Sequence, residues 1–206
     1  MQRIMMIAGV LVLLVAGCTS APQPAQDAGM AQAQQSMVVW EDFETKPFWF
    51  AVANAWNDDD SSLETRWNRQ EATHGTASLE GVFRMNGKNG ATFYTEEPEM
   101  NDFSPYKNLV VDFVNKSDKD LEVALVLCTG ADWVWHESAT VVLAPGENRD
   151  VYFDLTGSNW KCAASNWQFT AQVADIQSVR RVAFKFWGPE GLESSVLVDN
   201  VRLEKK

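Results

Sequence analysis

The sequence predicts an all-β protein, a sandwich or barrel of about ten short strands. Three observations carry that expectation. Apolar residues alternate with period two, clearly in Leu121, Val123, Leu125, Leu127 and in Val182, Phe184, Phe186. Turn signals punctuate the chain at Asn86–Gly90, Asn115–Asp118, Ala144–Glu147 and Gly188–Gly191. Helical periodicity is missing except for one turn at Ala171–Ser178.

The first 36 residues stand outside that pattern. Residues 1–17 read as a signal peptide, with Arg3 ahead of the apolar run Ile4–Val15. The run is shorter than the ~20 residues a bilayer-spanning helix needs. Its end, Val15-Ala16-Gly17-Cys18, resembles the lipobox of bacterial lipoproteins. That resemblance implies a Cys18 acylated on sulfur and, after cleavage, on its new amino terminus, with palmitate among the chains. Thr19 in place of Asp favours the outer membrane, facing the periplasm or the surface; the alternative is a plain secreted signal. Residues 18–36 hold little beyond Ala, Gln, Ser and Pro after the lipidated Cys, and cannot bury enough surface to offset their ordering entropy. They form a tether of roughly 20 Å r.m.s. span. The folded domain is therefore 37–206.

Within it the strand candidates are Val38–Glu44, Leu63–Glu71, Ala77–Met85, Ala91–Thr95, Leu109–Asn115, Leu121–Leu127, Trp133–Leu143, Arg149–Leu155, Val179–Trp187 and Ser195–Leu203. Asp58-Asp59-Asp60 between the first two reads as a solvated loop rather than a metal site. An exported location permits a disulfide between Cys128 and Cys162, worth roughly 3–4 kcal/mol if unstrained. Two buried free thiols are the alternative.

Composition narrows function. Twenty-eight acids against 17 Lys and Arg give a formal charge of −11, which excludes nucleic acid as a partner. The histidines are His74 and His136, and no HExxH, CxxC, GxSxG or phosphate-binding glycine loop is present. The expected protein is not an enzyme. His74 precedes Gly75 in a turn and reads as structural. His136 either hydrogen-bonds a ligand or sits satisfied in the wall of its strand.

Three segments resemble a known family. They are Trp40-Glu41-Asp42-Phe43-Glu44, Thr73-His74-Gly75-Thr76-Ala77-Ser78-Leu79 and Val196-Leu197-Val198-Asp199-Asn200-Val201-Arg202-Leu203. In that order they are similar to the galactose-binding-like β-sandwich superfamily, and most to the family-eleven carbohydrate-binding modules, which bind β-glucans. The resemblance implies a jelly roll and a structural calcium joining the first and last strands. Asp42 and Asp199 would supply carboxylates, and the turn at His74–Thr76 carbonyls and a hydroxyl. Calcium takes six to eight hard oxygens, which suits that set.

The same resemblance places a ligand groove on the concave sheet, and it gives nine Trp a use beyond the core. Sugars offer apolar CH faces ringed by hydroxyls, which aromatic platforms and polar side chains recognise. By region the family's binding residues correspond to Tyr94, Asp132, Trp133, Trp135 and Trp187, with Trp160, Lys161 and Trp167 in the preceding loop. Lys185 shares the parity of Arg181 and Trp187, outward if Val182, Phe184 and Phe186 face the core. Trp133, Trp135 and Glu137 share one face, but so do Val141 and Leu143, so both Trp are core residues unless a β-bulge flips the register. Trp40 and Trp49 are assigned to the core.

The expected function is non-catalytic glycan binding by a lipid-anchored monomer. An assembly lipoprotein that holds a protein partner with the same sandwich is the alternative, and a lyase or hydrolase on a jelly-roll frame ranks third.

Overall fold

A computed structural model describes residues 36–52 and 61–206. The signal peptide, Cys18 and all but the last residue of the tether lie outside them, as does Asp58-Asp59-Asp60.

Two antiparallel sheets face each other. The first contains β1 (Met37–Glu41), β3 (Ser62–Asn68), β4 (Ser78–Arg84), β6 (Tyr106–Asn115), β10 (Gly146–Asp154) and β13 (Glu193–Lys205). Its order is β10-β6-β13-β4-β3, with β1 beside the second half of β13. The other contains β2 (Phe50–Ala51), β5 (Ala91–Glu96), β7 (Leu121–Thr129), β8 (Val134–Ser138), β9 (Val141–Leu143), β11 (Trp160–Lys161) and β12 (Val179–Trp187). Its order is β11-β8-β7-β12-β5-β2, with β9 continuing beside β7. This is the expected all-β sandwich. The one helical turn expected at Ala171–Ser178 is a hydrogen-bonded turn instead, and a 3₁₀ turn forms at Ala163–Ser165.

The inward residues of both sheets make one core. Trp49 stacks on Phe184 at 5.8 Å, Phe113 meets Phe184 and Phe186 edge-on at 5.3 and 5.8 Å, and Phe93 packs on Phe186 at 6.0 Å. Such pairs each add about 0.5–1.5 kcal/mol beyond area burial. Trp40, assigned to the core, is partly buried against it and donates its indole N–H to the Met100 carbonyl at 3.0 Å.

The segment expected as one strand, Trp133–Leu143, is two. Between Val126↔Glu137 and Val123↔Val141 the β7 strand advances three residues and its partner four. That extra residue is a β-bulge, and it reverses parity. Trp135 and Glu137 therefore face outward, while Leu143 reaches the core.

Cys128 and Cys162 are both buried and both free, so the bridge that an exported compartment permits is not formed. Cys128 lies opposite Trp135 on the outer face, whereas Cys162 follows β11, with β8 between the two.

Candidate functional site

Directly opposed residues of antiparallel strands share a face, so the register of the second sheet lays out its outer surface row by row. One row reads Phe50, Tyr94, Ala183, Val126, Glu137, Lys161 across β2, β5, β12, β7, β8 and β11. On one side of it lies Glu96, Arg181, Cys128, Trp135. On the other lie Thr92, Lys185, Ala124 and then Trp187, Glu122, Val142. Ala124, Val126 and Ala183 are fully buried yet outside the hydrophobic core. They form a floor of small side chains overhung by long ones.

The two ends of this surface differ. At the first, the Arg181 guanidinium lies 4.9 Å from the Tyr94 ring and 5.1 Å from the Trp133 ring, with Arg180 at 5.3 Å from the same indole. Arg181 pairs with Glu96 and Arg180 with Glu97. Packed this way, the Arg181 side chain is 12% exposed. Trp133 sits in the turn before β8 at φ 53, a left-handed conformation uncommon for a bulky residue.

At the other end a groove of about 830 Å³ opens among Trp187, Phe169, Glu122, Val142, Glu137 and Lys161. Lys185 Nζ stands 5.1 Å from the Trp187 ring, and Lys161 Nζ 5.1 Å from the Phe169 ring. Lys161 also pairs with Glu137 at 2.6 Å, and the Glu137 side chain is only 5% exposed.

Most sequence-selected residues fall on this surface: Tyr94, Trp135, Lys185 and Trp187 on the outer face, with Trp133 against Arg180 and Arg181 and Asp132 exposed in the adjoining turn. Two do not. Trp160 is wholly buried in the core, its indole N–H donating to the Asp154 carbonyl at 2.9 Å. Strand alternation turns Lys161, its neighbour, outward in its place. His136, opposite Leu127, also points inward at 1% exposure, and neither ring nitrogen has a hydrogen-bond partner among the described residues. Burial pushes its pKa down, partly offset by the charge of Asp175. Phe169 escaped the sequence because it lies in an aperiodic loop, where alternation gives no signal.

The residues assigned to calcium do not form an oxygen cage. Asp199 is fully buried on β13, and burial raises its pKa against the hydrogen bonds that lower it. Its Oδ2 accepts from the backbone N–H groups of Thr73 at 2.7 Å and His74 at 2.8 Å and from the Thr73 hydroxyl at 3.0 Å, and its Oδ1 from the Asn200 N–H at 2.7 Å. Thr76 gives its N–H and hydroxyl to Glu44, each at 2.7 Å, and these bonds lower the Glu44 pKa. Asp42 accepts from the Glu44 N–H at 3.1 Å. Asp42, His74 and Asp199 make no metal-holding group among the described residues. The turn that makes these bonds needs Gly75, at φ 64, where a Cβ would lie 2.2 Å from the Glu44 carboxylate. Hydrogen bonds among the described residues thus close the joint that calcium was expected to close.

Residues 41–200 match the family described as "Mannanase, galactose-binding domain-like", and the chain belongs to it. Its fold is shared by a family 11 carbohydrate-binding module from Clostridium thermocellum solved with a β-1,3-1,4-mixed-linked tetrasaccharide. The two are 11% identical over 82% of this chain and 95% of that one, with a TM-score of 0.59. The solution structure of CtCBM11 is 10% identical over 83% and 96%, with a TM-score of 0.62. An exo-β-agarase is 12% identical over 83% of this chain and 25% of its own, with a TM-score of 0.59. No curated protein matches. These likenesses make the fold a galactose-binding-like jelly roll resembling the family-eleven modules.

Proposed function

We propose that this protein is a non-catalytic glycan-binding module, held at the outer membrane through an acylated Cys18, that retains a polysaccharide or oligosaccharide on the outer face of the second sheet. The observation that carries the reading is the cross-strand surface itself. Its groove of about 830 Å³ sets the rings of Trp187 and Phe169 beside Glu122, Glu137 and Lys161, which suits a chain of flat rings edged by hydroxyls. The family name and the saccharide-bound module of the same fold guide the choice of glycans.

Affinity electrophoresis of the full chain in detergent tests it, with galactomannan, glucomannan, mixed-linkage β-glucan and agarose in the gel. Retardation by at least one of them, without release of reducing ends, is the expected result; migration unchanged in all four overturns it. Radiolabelled palmitate incorporation that disappears in Cys18→Ser tests the anchor.

A further inference from the structure

Resting on that reading, we infer that the glycan is gripped at the β9–β11 end of the sheet, between Trp187 and Phe169, and that the Glu137–Lys161 pair selects uncharged sugars bearing adjacent hydroxyls.

The first ground is access. A cation stands about 5 Å from the rings at both ends, but Arg181 packs between Tyr94 and Trp133 at 12% exposure and neither of those rings lines the groove. Trp187 and Phe169 instead border the open groove, and Phe169 is 46% exposed. Three strand spacings separate β12 from β11, about 14 Å in all. With the Phe169 ring 5.1 Å from Lys161 Nζ of β11, the two rings serve as platforms for different sugars of one oligomer rather than as a clamp on a single ring.

The second ground is the chemistry between them. Glu137 is a nearly buried carboxylate whose one donor among the described residues is Lys161. A carboxylate has roughly four lone-pair sites and an ammonium three N–H groups, so a single ion pair leaves both unsaturated toward the groove. Two neighbouring hydroxyls match them: one donates to Glu137 while the other accepts from Lys161. Water alone would otherwise have to satisfy that carboxylate.

The third ground is charge. Glu122 and Asp120 line the groove with Glu137, against Lys161 and the Lys185 ammonium over Trp187. With a chain charge of −11 behind them, these acids repel uronates and sulfated sugars.

Calorimetry on the full chain in detergent distinguishes the possibilities, using glucomannan, mixed-linkage β-glucan and agarose oligosaccharides as neutral ligands and polygalacturonate as the charged one. Phe169→Ala, Lys161→Met and Glu137→Gln are expected to weaken binding of the neutral ligand at least tenfold, and Trp135→Ala less than twofold, with polygalacturonate not bound. Phe169 and Lys161 lie outside the core, so their variants keep the test open if Glu137→Gln fails to fold. Wild-type binding that survives the first three substitutions but is lost in Trp135→Ala, or tighter binding of polygalacturonate, overturns this inference and leaves the glycan-binding reading standing. A wild-type chain that binds none of these glycans overturns both.

Discussion

Buried carboxylates occur on the outer faces of both sheets, and they are satisfied differently. On the first sheet Asp112 and Asp199 are opposed across β6 and β13, at 2% and 0% exposure. Asp112 accepts from Arg202 at 2.8 Å, the Asp150 N–H at 2.9 Å and the Asn200 amide at 3.0 Å, and it shares with Asp199 the single proton of the Thr73 hydroxyl, 3.2 Å away. Asp199 takes the donors already described, so almost every lone pair is engaged from within the protein. On the second sheet Glu137, at 4% exposure, holds Lys161 and nothing else among the described residues. Burial therefore does not distinguish a structural acid from a recognition acid. The number of internal donors does: the saturated pair fastens strands, and the unsaturated one is left for a ligand.

The largest expected effect breaks the saturated side. Asp199→Ala removes the acceptor of the Thr73, His74 and Asn200 N–H groups, and at about 1 kcal/mol per hydrogen bond the loss should be roughly 3 kcal/mol by urea unfolding. Glu137→Gln should change stability by less than about 1 kcal/mol while weakening glycan binding, which separates the two roles in one pair of variants. Equal destabilisation of both would erase the distinction.

A smaller effect concerns His136. Its pKa is depressed by burial, so below the unfolded value near 6.5 the unfolded chain takes up a proton that the folded one refuses. Stability should then fall as pH drops from 7 toward 5.5, with a slope of at most about 1.4 kcal/mol per pH unit for one proton. Asp199 and Glu41, raised by burial, contribute in the opposite sense within the carboxylate range, where stability is lost as pH rises through their folded pKa values. Denaturant melts should show the slope above pH 5.5, and His136→Gln should flatten it.

The smallest expected effects are none at all. Excess EDTA should leave the melting temperature unchanged, because hydrogen bonds already close the Asp199 joint; a drop of several degrees would restore calcium. Dithiothreitol should likewise change nothing, and both thiols should react with a thiol reagent only on unfolding, because Cys128 is buried, which raises its pKa, and Cys162 is buried and free.

The sequence made much of the fold legible because strand alternation and turn chemistry are local. Leu121 to Leu127 and Val182 to Phe186 point inward as their period requires, and the turns at Asn115–Asp118 and Gly188–Gly191 fall between strands. The two-residue strands β2 and β11 were missed, being too short to show a period. Parity in the Trp133–Leu143 segment was ambiguous for a definite reason, since a bulge adds one residue without leaving a compositional mark.

The site was legible in part. Trp187 and Lys185 follow from the parity of a long regular strand, whereas assigning Trp160 to the groove mistook a core indole for a platform because its strand has two residues. Phe169 and the pairing of Lys161 with Glu137 depend on a loop folding back beside β8. By itself, then, the sequence determined the all-β class, the alternation that fills the core, and the abundance of Trp. Tertiary structure decided which indoles are buried, which acids are saturated, and which backbone N–H groups Asp199 meets. Those outcomes turn on register and on contacts between residues far apart in the chain, such as Thr73 with Asp199, 126 positions away, which local chain chemistry cannot encode.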